Sequence, residues 1–243
     1  MQPRRAFLAA LAVFAATGAF AWSEASIQPS GTIRQEARAV TGFTGLGLAV
    51  PGRVELRQGT PEAVTIEADD NLLPEIQTVV EGGKLMIRFG RKLSVGGKPV
   101  IRIRVTAPSF ESISISGSGD VVAASLAVPT LAIAVSGSGE VKLANVQVDT
   151  LKASISGSGD IEAGGKATEV VAKIAGSGDL EAGKLDARRV SVSIAGSGDV
   201  EVRAAESLSA TIAGSGDVRY HGDPTVKKSV AGSGTVKRVG PAT

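Results

Sequence analysis

Apolar and polar residues alternate along most of this chain, and in its second half the alternation is locked to a recurring pentapeptide. Ser-Gly-Ser-Gly-Asp first stands at Ser116–Asp120 and returns six times, at 136–140, 156–160, 175–179, 195–199, 213–217 and 231–235. The first glycines of successive copies are 20, 20, 19, 20, 18 and 18 residues apart. With that glycine as origin, positions −4, −2, +4 and +6 read Ile113, Ile115, Val121 and Ala123 in the first copy and Ile133, Val135, Val141 and Leu143 in the second. The next four copies keep the pattern, and the last breaks it with Lys228 and Arg238. A period of two predicts strands with one side inward. A superperiod near twenty predicts a solenoid, in which each repeat buries its apolar side against its neighbours.

The first half lacks the pentapeptide but alternates in the same way. Strands are predicted at 32–40, 43–50, 53–58, 63–68, 76–80, 84–89 and 100–107, with a tight turn at Glu81-Gly82-Gly83 and room for one helical turn at Asp69–Pro74. In the last of these strands Ile101, Ile103 and Val105 alternate with Arg102, Arg104 and Thr106.

The predicted fold is all-β, a parallel β-helix with coils of 18–20 residues. Positions −4, −2, +4 and +6 should share a face with the two glycines of each copy. Those glycines are Gly117 and Gly119, Gly137 and Gly139, Gly157 and Gly159, Gly176 and Gly178, Gly196 and Gly198, Gly214 and Gly216, Gly232 and Gly234. They mark a place where the wall bends or leaves no room for a Cβ. Equivalent residues of stacked coils lie about 4.8 Å apart. The serines at +1 then form one surface column: Ser118, Ser138, Ser158, Ser177, Ser197, Ser215 and Ser233. The residues at +3 form another: Asp120, Glu140, Asp160, Asp179, Asp199, Asp217 and Thr235.

These two columns are the candidate ligand- or partner-binding surface. Six carboxylates one rung apart repel one another unless something compensates. A row of Ca²⁺ ions would do so. Alternatively each Asp caps its own turn, with Lys142, Lys152 and Lys173 screening the row. Serine nucleophiles would need a base, and the chain has one histidine, His221, expected in an exposed turn. Serine hydroxyls stacked as hydrogen-bonded ladders are the simpler expectation. Gly-Ser-Gly is no phosphate cradle, because a strand and not a helix follows each copy. Paired carboxylates for glycoside cleavage stay open, but aromatic platforms for sugars are scarce. No catalytic residue and no cofactor is expected.

Composition and charge refine the address more than the chemistry. Arg4 and Arg5, the apolar run from Ala6 and the small-x-small triplet Ala19-Phe20-Ala21 read as a secretory signal, cleaved to leave Trp22 first. The run is too short for a membrane anchor, and either the general or the twin-arginine route fits Arg4-Arg5-Ala6-Phe7-Leu8. The remaining chain balances 24 basic against 24 acidic residues, so nothing points to nucleic acid or an anionic membrane. Without cysteine there is no lipid-anchor motif and no disulfide, and repetition must hold the fold together.

The pentapeptide array, together with Phe43, Ala68-Asp69-Asp70-Asn71-Leu72-Leu73-Pro74, Gly82-Gly83-Lys84-Leu85 and Val105-Thr106-Ala107-Pro108, resembles the "putative auto-transporter adhesin, head GIN domain" family. The resemblance spans about residues 40–239. It implies a right-handed β-helix shaped like pectin lyases, with Gly-Ser-Gly motifs aligned along one side, no established catalytic residues and an inferred role in adhesion. The expected organisation is a signal peptide (1–21), a leader with a first strand (22–39), the β-helix (40–239) and a short tail (240–243). No segment reads as a translocating barrel or surface anchor, which favours the periplasm. The expected function is a non-enzymatic binding, adhesion or structural module for an envelope polymer or protein. The alternatives are a polysaccharide-active enzyme and a Ca²⁺-loaded repeat protein.

Overall fold

The computed structural model describes residues 25–241. Residues 1–21, read above as a signal peptide, Trp22 and the end of the C-terminal tail lie outside the described residues. Among the described residues there is no α-helix, and none long and apolar enough to cross a membrane. The first half supplies β1 (Ala25–Ile27), β2 (Ile33–Arg38), β3 (Gly45–Ala49), β4 (Arg53–Gln58), β5 (Ala63–Asp69), a 3₁₀ turn at Leu73–Glu75, β6 (Ile76–Glu81), β7 (Lys84–Phe89), β8 (Leu93–Val95) and β9 (Ile101–Ala107). The solenoid continues through β10 (Ser112–Gly117), β11 (Asp120–Ala123), β12 (Leu126–Gly137), β13 (Glu140–Gly157), β14 (Asp160–Gly176), β15 (Leu180–Gly196), β16 (Val200–Gly214), β17 (Val218–His221), β18 (Thr225–Gly232) and β19 (Val236–Gly240).

From β10 onward every pairing is parallel and copy matches copy. Gly137 lies beside Gly157, Gly157 beside Gly176, Gly176 beside Gly196 and Gly196 beside Gly214. The unequal coil lengths are absorbed elsewhere, at bulges between Leu143 and Val146, Glu162 and Gly164, and Ala182 and Asp186. The pentapeptide is therefore the fixed point of the register. It is also a corner. The chain is extended up to the first glycine, bends at the serine and resumes as strand at or just after +3. Positions −4, −2, +4 and +6 all point inward as the alternation predicts, but they line two walls that meet at the pentapeptide rather than one face.

The core is a stack of aliphatic columns. Ile115, Val135, Ile155, Ile174, Ile194 and Ile212 form one; Val121, Val141, Ile161, Leu180, Val200 and Val218 form another; all are 3 % exposed or less. The wall of the first column also carries Leu131, Leu151, Val170, Val190 and Leu208, and a third wall contributes Leu126, Val146 and Leu185. Burying a side chain of this kind contributes about 1.5–3 kcal/mol, so each coil is stabilised chiefly by the one beneath it.

The N-terminal half, which lacks the pentapeptide, combines a regular coil with an antiparallel layer. Strands β3 and β4 form a regular coil with Pro51-Gly52 at its corner. β10 and β11 stack on one side of it, and β7 and β9 on the other. Beyond β7 and β9 the direction reverses: β6 runs antiparallel to β7, β5 to β9 and β2 to β5. Gly82 and Gly83, at φ of +58° and +76°, make the reversal between β6 and β7. An antiparallel layer cannot template a further parallel coil, so it closes this end. Phe43 and Phe110 are fully buried in this half. Asp69, 1 % exposed, ties the leader to the cap by accepting the N–H groups of Gly31 at 2.8 Å and Val100 at 3.0 Å.

The other end is open. β18 and β19 are largely exposed, and Lys228 and Arg238 occupy core-facing positions. Inward charges on a terminal rung discourage addition of a foreign strand.

The corner yields a sharp prediction. Gly176 has φ of +134°, and a Cβ there would lie far inside van der Waals contact with the Gly157 carbonyl oxygen. Gly176→Ala should destabilise the protein by about 3 kcal/mol or more in urea unfolding. Gly82→Ala, in a turn where an added methyl would meet nothing within 4 Å, should cost only about 1 kcal/mol.

Candidate functional site

The two predicted columns run side by side along the corner, but the structure gives them different work. From the second copy on, each serine N–H donates to the carbonyl of the first glycine one coil below: Ser138 to Gly117 at 2.9 Å, Ser158 to Gly137 at 2.9 Å, Ser177 to Gly157 at 2.8 Å, Ser197 to Gly176 at 2.8 Å, Ser215 to Gly196 at 2.9 Å and Ser233 to Gly214 at 3.0 Å. The backbone ladder is thus carried through the bend. The side chains of Ser118, Ser138, Ser158, Ser177, Ser197, Ser215 and Ser233 stand out from it as an exposed ridge. The expected hydroxyl ladder is absent. Among the described residues these hydroxyls make no hydrogen bond to protein, because the outward bend splays them into solvent.

The acid column is tied into the fold. Asp160 Oδ1 accepts the N–H of Asp179 at 3.0 Å, Asp179 Oδ1 that of Asp199 at 2.7 Å, Asp199 Oδ1 that of Asp217 at 2.9 Å and Asp217 Oδ1 that of Thr235 at 2.8 Å. Each carboxylate therefore caps the next coil rather than its own turn. In the earlier coils a plain backbone bond takes that place, with Glu140 N–H donating to the Gly119 carbonyl and Asp160 N–H to that of Gly139. Charge-assisted hydrogen bonds of this type contribute about 1.5–3 kcal/mol each and offset the repulsion along the column.

Of the three expected screening lysines only Lys142 lies beside the acids, 2.8 Å from Glu140. That hydrogen bond, with the attraction of the carboxylate, raises the Lys142 pKa above its ordinary value. Lys152 and Lys173 point outward from the wall before the corner, where no acid of the column reaches. Arg219 approaches Asp199 instead, at 3.8 Å. His221 is half-buried at the end of β17, not in an exposed turn, and its Nε2 lies 2.9 Å from Glu201. Among the described residues no group of three or more acidic or histidine side chains converges as metal ligands do.

A groove that the sequence did not single out opens on the wall after the corner. It has a volume of about 660 Å³ and a floor of Val122, Ala123 and Ala124. Arg53, Glu55, Arg102 and Arg104 form one side, Lys142 and Glu162 the other. The alternation in β4 and β9 marks these charges as outward-facing. Their meeting depends on the stacking order β9–β4–β11–β13, which does not follow the chain.

If the carboxylates serve the backbone, removing one should act on stability. Asp179→Ala should cost about 1.5–3 kcal/mol, and Asp179→Asn, which keeps the acceptor oxygen, less than half of that. Thermal unfolding in EDTA and in millimolar Ca²⁺ should give the same midpoint; a rise with Ca²⁺ would show a metal site at the column.

The comparisons agree with this architecture. No curated protein matches the chain. The chain resembles the crystal structure of a "putative adhesin" from Bacteroides fragilis, with 30% identity and a TM-score of 0.83 over 88% of this chain and 100% of that one. It also resembles a "putative lipid binding protein" from Parabacteroides distasonis, with 26% identity and a TM-score of 0.75 over 88% and 99%. A "putative adhesin" from Parabacteroides merdae, 22% identical with a TM-score of 0.69 over 88% and 99%, shares the fold. The model of the family described as "Putative auto-transporter adhesin, head GIN domain" matches residues 42–224. With three quarters of its length matched, the chain belongs to that family.

Proposed function

We propose that this protein is an exported, non-enzymatic binding module of the cell envelope, and that its recognition surface is the serine ridge with the flat wall before it. The carrying observation is the row of exposed hydroxyls, one per coil, which no protein group satisfies. Their spacing is set by the coil repeat and their positions by the glycine corner, so a repeating ligand would meet them with little loss of freedom on the protein side. The adjoining wall suits the same use. Between β10 and β16 its outward side chains near the ridge are mostly Ser, Ala and Thr, such as Ser114, Ala134, Ser154, Ser193 and Thr211, with Lys152 and Lys173 among them and Glu169 and Arg189 at the far edge. A flat, small-residue surface lets a polymer or a partner protein approach closely along its length. The roles ascribed to the related structures, adhesion and lipid binding, both describe binding without chemistry. The periplasm is the address this reading favours, with the cell surface as the other.

The test separates ridge from scaffold. Ser158, Ser177 and Ser197 are changed together to Glu, which leaves the glycines and the carboxylate ladder in place. Binding of the chain from residue 22 to isolated cell-envelope polymer is then measured by co-sedimentation. The triple variant should unfold within about 1 kcal/mol of the parent and lose at least tenfold in affinity. Undiminished binding would remove the ridge as the recognition surface.

A further inference from the structure

The groove beside the ridge is independent of that reading and has its own chemistry. Its hollow has a local cause. Along the outward column two residues beyond the acids, stacked rungs carry Arg104, Glu55, Val122, Lys142, Glu162 and Glu181 in register. Val122 is the one apolar side chain among them and reaches several ångströms less far than its neighbours. Ala124 follows it, so β11 leaves an apolar trough between two charged walls.

The walls are not neutral. Four cations line the groove against two anions. Three of the cations have partners of their own: Arg102 lies 2.6 Å from Glu67, Arg104 is 3.8 Å from Glu55, and Lys142 is held by Glu140. Arg53 makes no ion pair among the described residues. It is also stacked in register on Arg102. Like charges directly opposite in a sheet are destabilising; Glu67 pairs with Arg102, while Asp120 stands opposite Arg53 on its other side in register without forming an ion pair with it. An arginine fork left unpaired beside a second arginine, at the mouth of an apolar trough, is complementary to an anion carried on an apolar body. The volume of the groove falls within the usual range for small-molecule sites, about 300–1,000 Å³.

We infer that this groove binds a single-chain anionic amphiphile. The acidic head sits between the Arg53 and Arg102 guanidinium groups, with Arg104 within reach, and the first carbons of the chain lie over Val122, Ala123 and Ala124. Arg53 supplies the bidentate hydrogen bonds, and the trough supplies the apolar contact that a free anion lacks. Glu55 and Glu162 set a limit on the head, since a second negative charge toward Lys142 would meet them.

Calorimetric titration of the chain from residue 22 with decyl phosphate, decanol and inorganic phosphate reads both halves of the site. Decyl phosphate should bind at least tenfold more tightly than either fragment, and its affinity should fall as salt is raised. Arg53→Gln should weaken it tenfold or more, and Val122→Glu, which fills the trough with a longer and negative side chain, should abolish it. Both side chains lie outside the core, so the unfolding midpoints should stay close to the parent's. The triple serine variant should bind decyl phosphate as the parent does, which keeps this test separate from that of the ridge. Equal binding of decanol, binding of inorganic phosphate alone, no binding of decyl phosphate, or binding unchanged by both substitutions would each overturn the assignment.

Discussion

The structure depends on how closely two backbones approach at one corner. At each pentapeptide after the first, the chain of one coil passes directly over the carbonyl of the first glycine beneath it, and the serine N–H closes the contact at 2.8–3.0 Å. In these copies a Cβ at either glycine would collide with backbone. At Gly178 the Gly159 carbonyl and the Ile155 side chain are both in the way. The first glycine must also adopt φ between +112° and +141°, a region closed to most side chains. Two glycines per coil are a large entropic cost for a folded chain. They are tolerated because without them the hydrogen-bond ladder would break at every turn, leaving donors and acceptors unpaired beside the core.

From that contact the division of labour along the corner follows. A residue at +1 projects away from the bend and has no neighbour to bond, so its hydroxyl is left to solvent. A residue at +3 starts the next wall, where from Asp160 onward its carboxylate lies against the N–H one coil further on. The same four-residue geometry thus makes one column available for recognition and commits the other to stability. The corner is continuous while the wall beyond it is not. β11 carries Val122 where its neighbours carry charge, and the groove is the result.

The alternation and the twenty-residue superperiod were enough to read the solenoid, its core columns and the frayed last coil with Lys228 and Arg238. Local spacing could not say whether Gly-Ser-Gly was wall or corner, because a residue can point inward from either. The destination of the Asp carboxylates was hidden for a related reason: their partners lie 18–20 residues away, and only the inter-coil register decides between own turn and next coil. The groove was out of reach for a topological reason. Arg102, Arg53 and Val122 become neighbours because the coil formed by β3 and β4 is enclosed by strands that come later in the chain, and no periodicity encodes that return. His221 was misplaced because the turn residues after it, Gly222-Asp223-Pro224, masked its role as the last residue of β17 beside Glu201.

The central claim is that the corner is as firmly held as the walls. Native-state amide hydrogen exchange tests it directly, since it reports the opening free energy of each N–H. The account predicts that the amides of Ser158, Ser177 and Ser197, though they belong to the most exposed residues of their coils, exchange as slowly as those of the core residues Ile155, Ile174 and Ile194. Exchange of these serine amides at the rate of the Gly82-Gly83 turn would show that the corners open freely, and that the coils are held by their walls alone.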